Sequence, residues 1–141
     1  VTPEEFYGFR EKHRIALYED RERLRALARP AIVGFLELLR DGATMTGDLT
    51  LALVTTAPKS QADAVVEALE LAELFDEIVC GLEKSAENPA CYLAALERLG
   101  CAPDECLALE DSPAGYRAAR AAGIPCMIVP NRFTKDRRLH E

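Results

Sequence analysis

The chain has 141 residues, of which 49% are hydrophobic and 29% charged, and carries a formal net charge of −7. That balance suits one globular domain with a real core and argues against disorder. No apolar run nears the roughly 20 residues that a membrane helix needs, and so acidic a chain is a poor partner for nucleic acid.

The charge is unevenly spread. Residues 60–111 hold 13 acids against Lys84 and Arg98, whereas residues 112–141 hold six bases against two acids. An anionic substrate would need a local cation or a bound metal. The first residues are polar and charged, which is not the pattern of a secretory leader.

Thr2-Pro3-Glu4-Glu5 opens a helix with a cap residue, a proline and two acids. The spacing of Phe6, Phe9, His13, Leu17, Leu24 and Leu27 predicts helix over residues 3–28, in two pieces, ended by Pro30. A second helix is expected over residues 32–39, closed by Arg40-Asp41-Gly42, with "ATMTGD" as a loop. "LTLALVTT" is apolar and β-branched and reads as a buried strand. Ser60, with Asp63 three places on, is the expected cap of the next helix. Its buried side is read as Ala62, Val65, Val66, Leu69, Ala72 and Phe75.

"EIVCG" at residues 77–81 is a second strand and turn. Asn88-Pro89 opens a helix that Gly100 closes, with Cys91, Leu93, Ala95, Leu96 and Leu99 facing inward. "CLAL" is a third strand, and Ser112-Pro113 starts a helix of small residues that ends at Gly123. "IPCMIVP" is a fourth strand and "FTKDRRLHE" a loop. Strands alternating with helices predict an α/β fold, a Rossmann-like parallel sheet with helices on both faces.

The five cysteines are odd in number and form no CxxC. They read as reduced structural thiols of a cytoplasmic protein rather than as a zinc site.

In such sheets ligands bind beyond the carboxyl ends of the strands. The first strand ends on Thr55-Thr56, the third on Glu110-Asp111 and the fourth on Pro130-Asn131. Two adjacent carboxylates suit Mg²⁺, which takes one or two carboxylates, keeps waters and favours phosphate oxygens. Thr55, and the helix start at Ser112 and Gly115, could hold a phosphate. The same residues also read more plainly, as a strand end and a helix start where acids are favoured.

Taken together, "LALVTTAPKSQADAVVEALELAELFDEIVCG" and "YLAALERLGCAPDECLALEDSPAGYRAARAAGIPCMIVPN" resemble the haloacid dehalogenase superfamily, in its beta-phosphoglucomutase and phosphoglycolate phosphatase branch. The resemblance covers residues 30–131 and is strongest in "EDSPAGYRAARAAG". It implies a Mg²⁺-dependent phosphatase or phosphomutase acting on a small phosphorylated metabolite. It implies that Thr55, with Thr56, binds the phosphoryl group and that Glu110 and Asp111 hold the metal, supported by Ser112 and Gly115. It also implies domains: residues 1–30 as the end of a helical cap, and residues 31–141 as the core.

Two of the family's motifs are altered. No Asp-x-Asp occurs, so the aspartyl nucleophile of the first motif is absent; "LRDGAT" puts Leu39 in its place. At the third motif, Ala86 stands where a lysine is expected, and Lys84 is the nearest substitute. Without the first-motif strand, the strands ending at Thr55 and Glu110 would carry open edges, which invite pairing. Three outcomes are open: a strand from another polypeptide or a dimer, direct pairing of these two strands, or a longer chain. The alternative to a phosphatase is a non-catalytic binding or assembly module.

Overall fold

A computed structural model of the chain describes residues 2–46, 49–82 and 88–129. The chain divides into two compact units: Val1–Leu51 with Pro58–Asp76, and Ala52–Ala57 with Glu77–Glu141. The expected boundary at residue 30 is a statement of lineage, which this division by contacts does not test.

The first unit is helical. Helix α1 (Pro3–Glu19) starts from a full capping box: the Glu5 amide donates to the Thr2 hydroxyl, and the Thr2 amide donates to the Glu5 carboxylate. The expected break falls at Asp20, whose backbone amide closes α1 and whose carboxylate caps α2 (Arg21–Leu27) through the Arg23 amide. Helix α3 runs over Pro30–Thr46, beyond the expected stop at Gly42. A glycine weakens a helix interior by about 1 kcal/mol but ends a helix only where it turns left-handed. Gly100 (φ 66°) and Gly123 (φ 82°) do so, and Gly42 does not.

Helix α4 (Lys59–Ala68) begins at Pro58 with no side-chain cap, so Ser60 is not its cap. The amides of Gln61 and Ala62 donate to the Pro58 carbonyl, and Asp63 pairs instead with Lys59. Glu70, at φ 57°, turns the chain out of α4, so the inward face passes to Leu71 and the expected Ala72 is exposed. Leu24 of α2 and Ala62, Val66 and Ala68 of α4 are buried. Arg21 pairs with Glu67, Arg25 donates to the Ala68 carbonyl, and Arg40 grips Asp76 through both terminal nitrogens at 3.0 and 3.1 Å. The two ion pairs, Arg21–Glu67 and Arg40–Asp76, lie near the surface, where such pairs add little to stability.

The second unit holds the strands. β1 (Ala52–Val54) pairs parallel with β2 (Glu77–Val79), Leu53 opposite Ile78. β3 (Ala108–Glu110) pairs parallel with β4 (Cys126–Ile128), Leu109 opposite Met127. The α/β class and the parallel pairing are as predicted. The sheet is not continuous among the described residues: it forms as two separate pairs, and β1 does not join β3 directly.

Helix α5 (Ala90–Leu99) lies against β1 and β2, and α6 (Pro113–Ala121) against β3 and β4. Val79, Cys91, Tyr92, Ala95, Ala118, Ala119, Ala122 and Ile124 form one buried cluster. Cys91 and Ala95 face inward as predicted and Leu96 packs against the cluster, but Tyr92 is buried and Leu93 is 51% exposed. Ala118 and Ala119 are fully buried, which is why α6 is rich in small residues. No disulfide joins any of the five cysteines among the described residues. Burial, and then the neighbouring Cys101, push the Cys106 thiol upward, away from the reactive thiolate.

Candidate functional site

Of the three polar strand ends, those at Thr55 and Glu110 lie among the described residues. Thr55 follows β1, and its amide extends the ladder by donating to the Val79 carbonyl at 2.9 Å. The Ala57 amide donates to the Thr55 hydroxyl at 3.1 Å, and the Gly81 amide to the Ala57 carbonyl at 2.8 Å. This turn leaves Thr55 half-buried and Thr56 exposed. The Thr55 oxygen already accepts from the backbone, so its proton is directed at some other acceptor.

At the end of β3, Glu110 closes the strand, and the Val129 amide donates to its carbonyl at 2.7 Å. Its side chain turns inward and is only 7% exposed, the single charged group buried among the described residues. The Tyr92 hydroxyl, from α5, donates to one carboxylate oxygen. The Ser112 hydroxyl donates to the other at 3.4 Å. Gly115 makes the room: a Cβ there would fall on the Glu110 carboxylate. A buried carboxylate is tolerable because it is hydrogen-bonded. Burial first, and then the Glu110 contact, push the Tyr92 hydroxyl far above the ordinary tyrosine range, so it remains a donor.

Asp111, one residue on, is exposed. Ser112 caps α6 by accepting from the Gly115 amide at 3.0 Å. That amide is therefore committed to the helix start and is not presented to an anion. Glu110, Ser112 and Gly115 are thus brought together, while Thr55 and Thr56 belong to a separate turn. Lys84 and Ala86, the end of β4 at Pro130-Asn131 and the tail lie outside the described residues. Tyr92 is the residue that sequence reasoning missed. Its signal was weak: a tyrosine beside Leu93, which the apolar spacing assigned to the inward face in its place.

A model of the haloacid dehalogenase-like hydrolases matches residues 4–123. The chain belongs to this family. It is 36% identical to the plasmid-borne protein CbbY of Cupriavidus necator, over 95% of the chain and 56% of that protein. It is 32% identical to the phosphoglycolate phosphatase of Rhodospirillum rubrum, over 73% of the chain and 43% of that enzyme. Among solved structures, CbbY from Rhodobacter sphaeroides in complex with phosphate superposes with a TM-score of 0.63 at 33% identity, covering 72% of the chain and 47% of that one. The chain thus spans about half the length of the relatives it matches. The phosphatase branch read from "EDSPAGYRAARAAG" is borne out.

Among the described residues, no group of three or more His, Cys, Asp or Glu side chains is placed to hold a metal ion, and no helix is long and apolar enough to cross a membrane. The acidic pair nevertheless fits Mg²⁺ in kind. Its donors are hard oxygens, one carboxylate faces solvent, and Mg²⁺ keeps several waters when few protein ligands are offered.

Proposed function

We propose that this chain carries the phosphate- and metal-handling part of a Mg²⁺-dependent phosphatase acting on a small phosphorylated metabolite. The observation that carries the reading is the end of β3, where an exposed Asp111 follows a buried, hydrogen-bonded Glu110 on a turn held by a capped helix. A phosphorylated sugar is the favoured substrate class, because a CbbY relative from Rhodobacter sphaeroides is seen in complex with xylulose-(1,5)bisphosphate.

In this reading the Thr55 hydroxyl donates to a phosphoryl oxygen, with Thr56 beside it at the rim. The acidic pair at residues 110–111 provides the metal side, and Ser112 and Gly115 hold its turn. Mg²⁺, when bound, supplies positive charge to the phosphoryl oxygens and orients them for attack. Lys84 is the candidate for the neutralising cation of the third motif. We place the protein in the cytoplasm, where phosphorylated metabolites and reduced thiols are found.

These 141 residues contain no Asp-x-Asp, so the aspartyl nucleophile of the family mechanism has to come from outside them. We therefore expect no hydrolysis by the chain as it stands. The test is release of nitrophenol from p-nitrophenyl phosphate with Mg²⁺. Turnover that Asp111→Asn abolishes would refute the expectation of inactivity. The missing nucleophile also favours a second reading, a non-catalytic module that pairs through the edges of β1 and β3. Sedimentation at micromolar concentration tests it, and a strictly monomeric species counts against it.

A further inference from the structure

We propose that Cys101 and Cys106 are a thiol pair built for reversible oxidation, closing to an intramolecular disulfide with a low-molecular-weight disulfide as oxidant. The pair lies before β3, at the opposite end of that strand from the two acids. The phosphatase reading makes no use of it.

Backbone hydrogen bonds fix both positions. Gly100, left-handed at φ 66°, ends α5, and the Cys101 amide donates back to the Leu96 carbonyl at 3.3 Å. A 3₁₀ turn (Pro103–Glu105) follows. In it the Ala102 amide donates to the Glu105 carboxylate at 2.8 Å, and the Cys106 amide to the Pro103 carbonyl at 3.3 Å. The turn is backed by the loop before β4, where a Cβ on Gly123 would lie 3.4 Å from that of Pro103. So held, the two thiols are hydrogen-bonded to each other, and the Cys101 thiol also donates to the Leu99 carbonyl at 3.5 Å. Both residues are half-buried, Cys106 against the buried cluster. Four residues separate them, so closing the ring adds little loop entropy. A bond between thiols already in contact asks for little backbone movement.

The order of events follows from the surroundings. Burial, and then Cys101, keep the Cys106 thiol protonated, so Cys101 attacks first and Cys106 second. The Cys101 thiolate attacks one sulfur of the oxidant, breaks its S–S bond and releases one thiolate, which takes up a proton. Cys106 then loses its proton to water and attacks the Cys101 sulfur, releasing the second thiol. Two protein thiols are oxidised, and one external disulfide is reduced to two thiols. Excess reduced thiol reverses both steps.

The test exposes the folded 141-residue chain to oxidised glutathione, blocks the remaining thiols with iodoacetamide and maps them by mass spectrometry. The chain should lose two of its five thiols and keep no glutathione. Cleavage after Asp104 or Glu105 should then leave two peptides that separate only on reduction. Cys101 and Cys106 should be consumed at least about tenfold faster than Cys80, Cys91 or Cys126. Cys106→Ser should trap one glutathione on Cys101, whereas Cys101→Ser should trap about tenfold less on Cys106. Urea unfolding checks that both variants are folded, and the parent chain carries the test if either is not. The proposal is overturned if another pair joins first, if glutathione stays on the parent chain, or if the Cys101–Cys106 link forms only in urea. Trapping on Cys106 rather than on Cys101 overturns the order of attack.

Discussion

Replacing Gly115 by alanine opposes two effects of known size. In an ordinary helix position the change stabilises by about 1 kcal/mol, because alanine is the better helix former. Here the new Cβ would fall on the Glu110 carboxylate. If the carboxylate swings out, the hydrogen bond from Tyr92 is lost, which for a charged acceptor costs about 1.5–3 kcal/mol. If the helix shifts instead, overpacking costs about 1–3 kcal/mol. Either cost exceeds the propensity gain, so Gly115→Ala should destabilise by about 1–2 kcal/mol in urea unfolding. The sign should reverse once the obstacle is gone: in a Glu110→Ala background, Gly115→Ala should stabilise by about 0.5–1 kcal/mol. Stabilisation by Gly115→Ala in the parent chain would refute the contact between Glu110 and Gly115.

Four further outcomes test the rest of the structure. The Arg40 guanidinium, with help from the Leu51 amide, holds the Asp76 carboxyl below its usual range. This pair therefore stabilises above the unfolded carboxyl's pKa, near 4, and loses that contribution as pH falls toward the lower folded value. Asp76→Asn should flatten the acid side of the stability–pH profile, and an unchanged slope would contradict it. Glu70 adopts φ 57°, so Glu70→Gly should leave thermal stability equal or raise it by up to about 1 kcal/mol, whereas Glu70→Val should lower it. Leu93→Ser on the exposed side of α5 should cost about 0.5 kcal/mol or less. Cys91→Ser, at a fully buried position, should cost about 1–3 kcal/mol in the same denaturation assay.

Local signals set most of the elements. Thr2-Pro3-Glu4-Glu5 opens α1 as read, Asp20 splits the first helical stretch, and Gly100 and Gly123 close their helices in the left-handed region. These features act within one turn of chain, so a sequence displays them directly. The acidic pair at the end of β3 was legible for the same reason, since an apolar run ended on two acids before a Ser-Pro helix start. The misplaced features depend on neighbours. The continuation of α3 through Gly42, the burial of Tyr92 in place of Leu93 and the uncapped start of α4 turn on contacts that periodicity does not carry. Lys84 lies outside the described residues and remains an expectation from motif spacing.

The 141 residues by themselves determined the family, the order of helices and parallel strands, and the absence of Asp-x-Asp, because each is written in contiguous stretches of chain. Only the tertiary structure decided that the strands form two pairs and that the two acids differ. Glu110 and Asp111 are adjacent carboxylates of similar chemistry in the sequence. Tyr92, on a helix that ends before β3 begins, and the missing side chain of Gly115 give Glu110 a donor and a space that folding assembles, so Glu110 is buried while Asp111 is exposed.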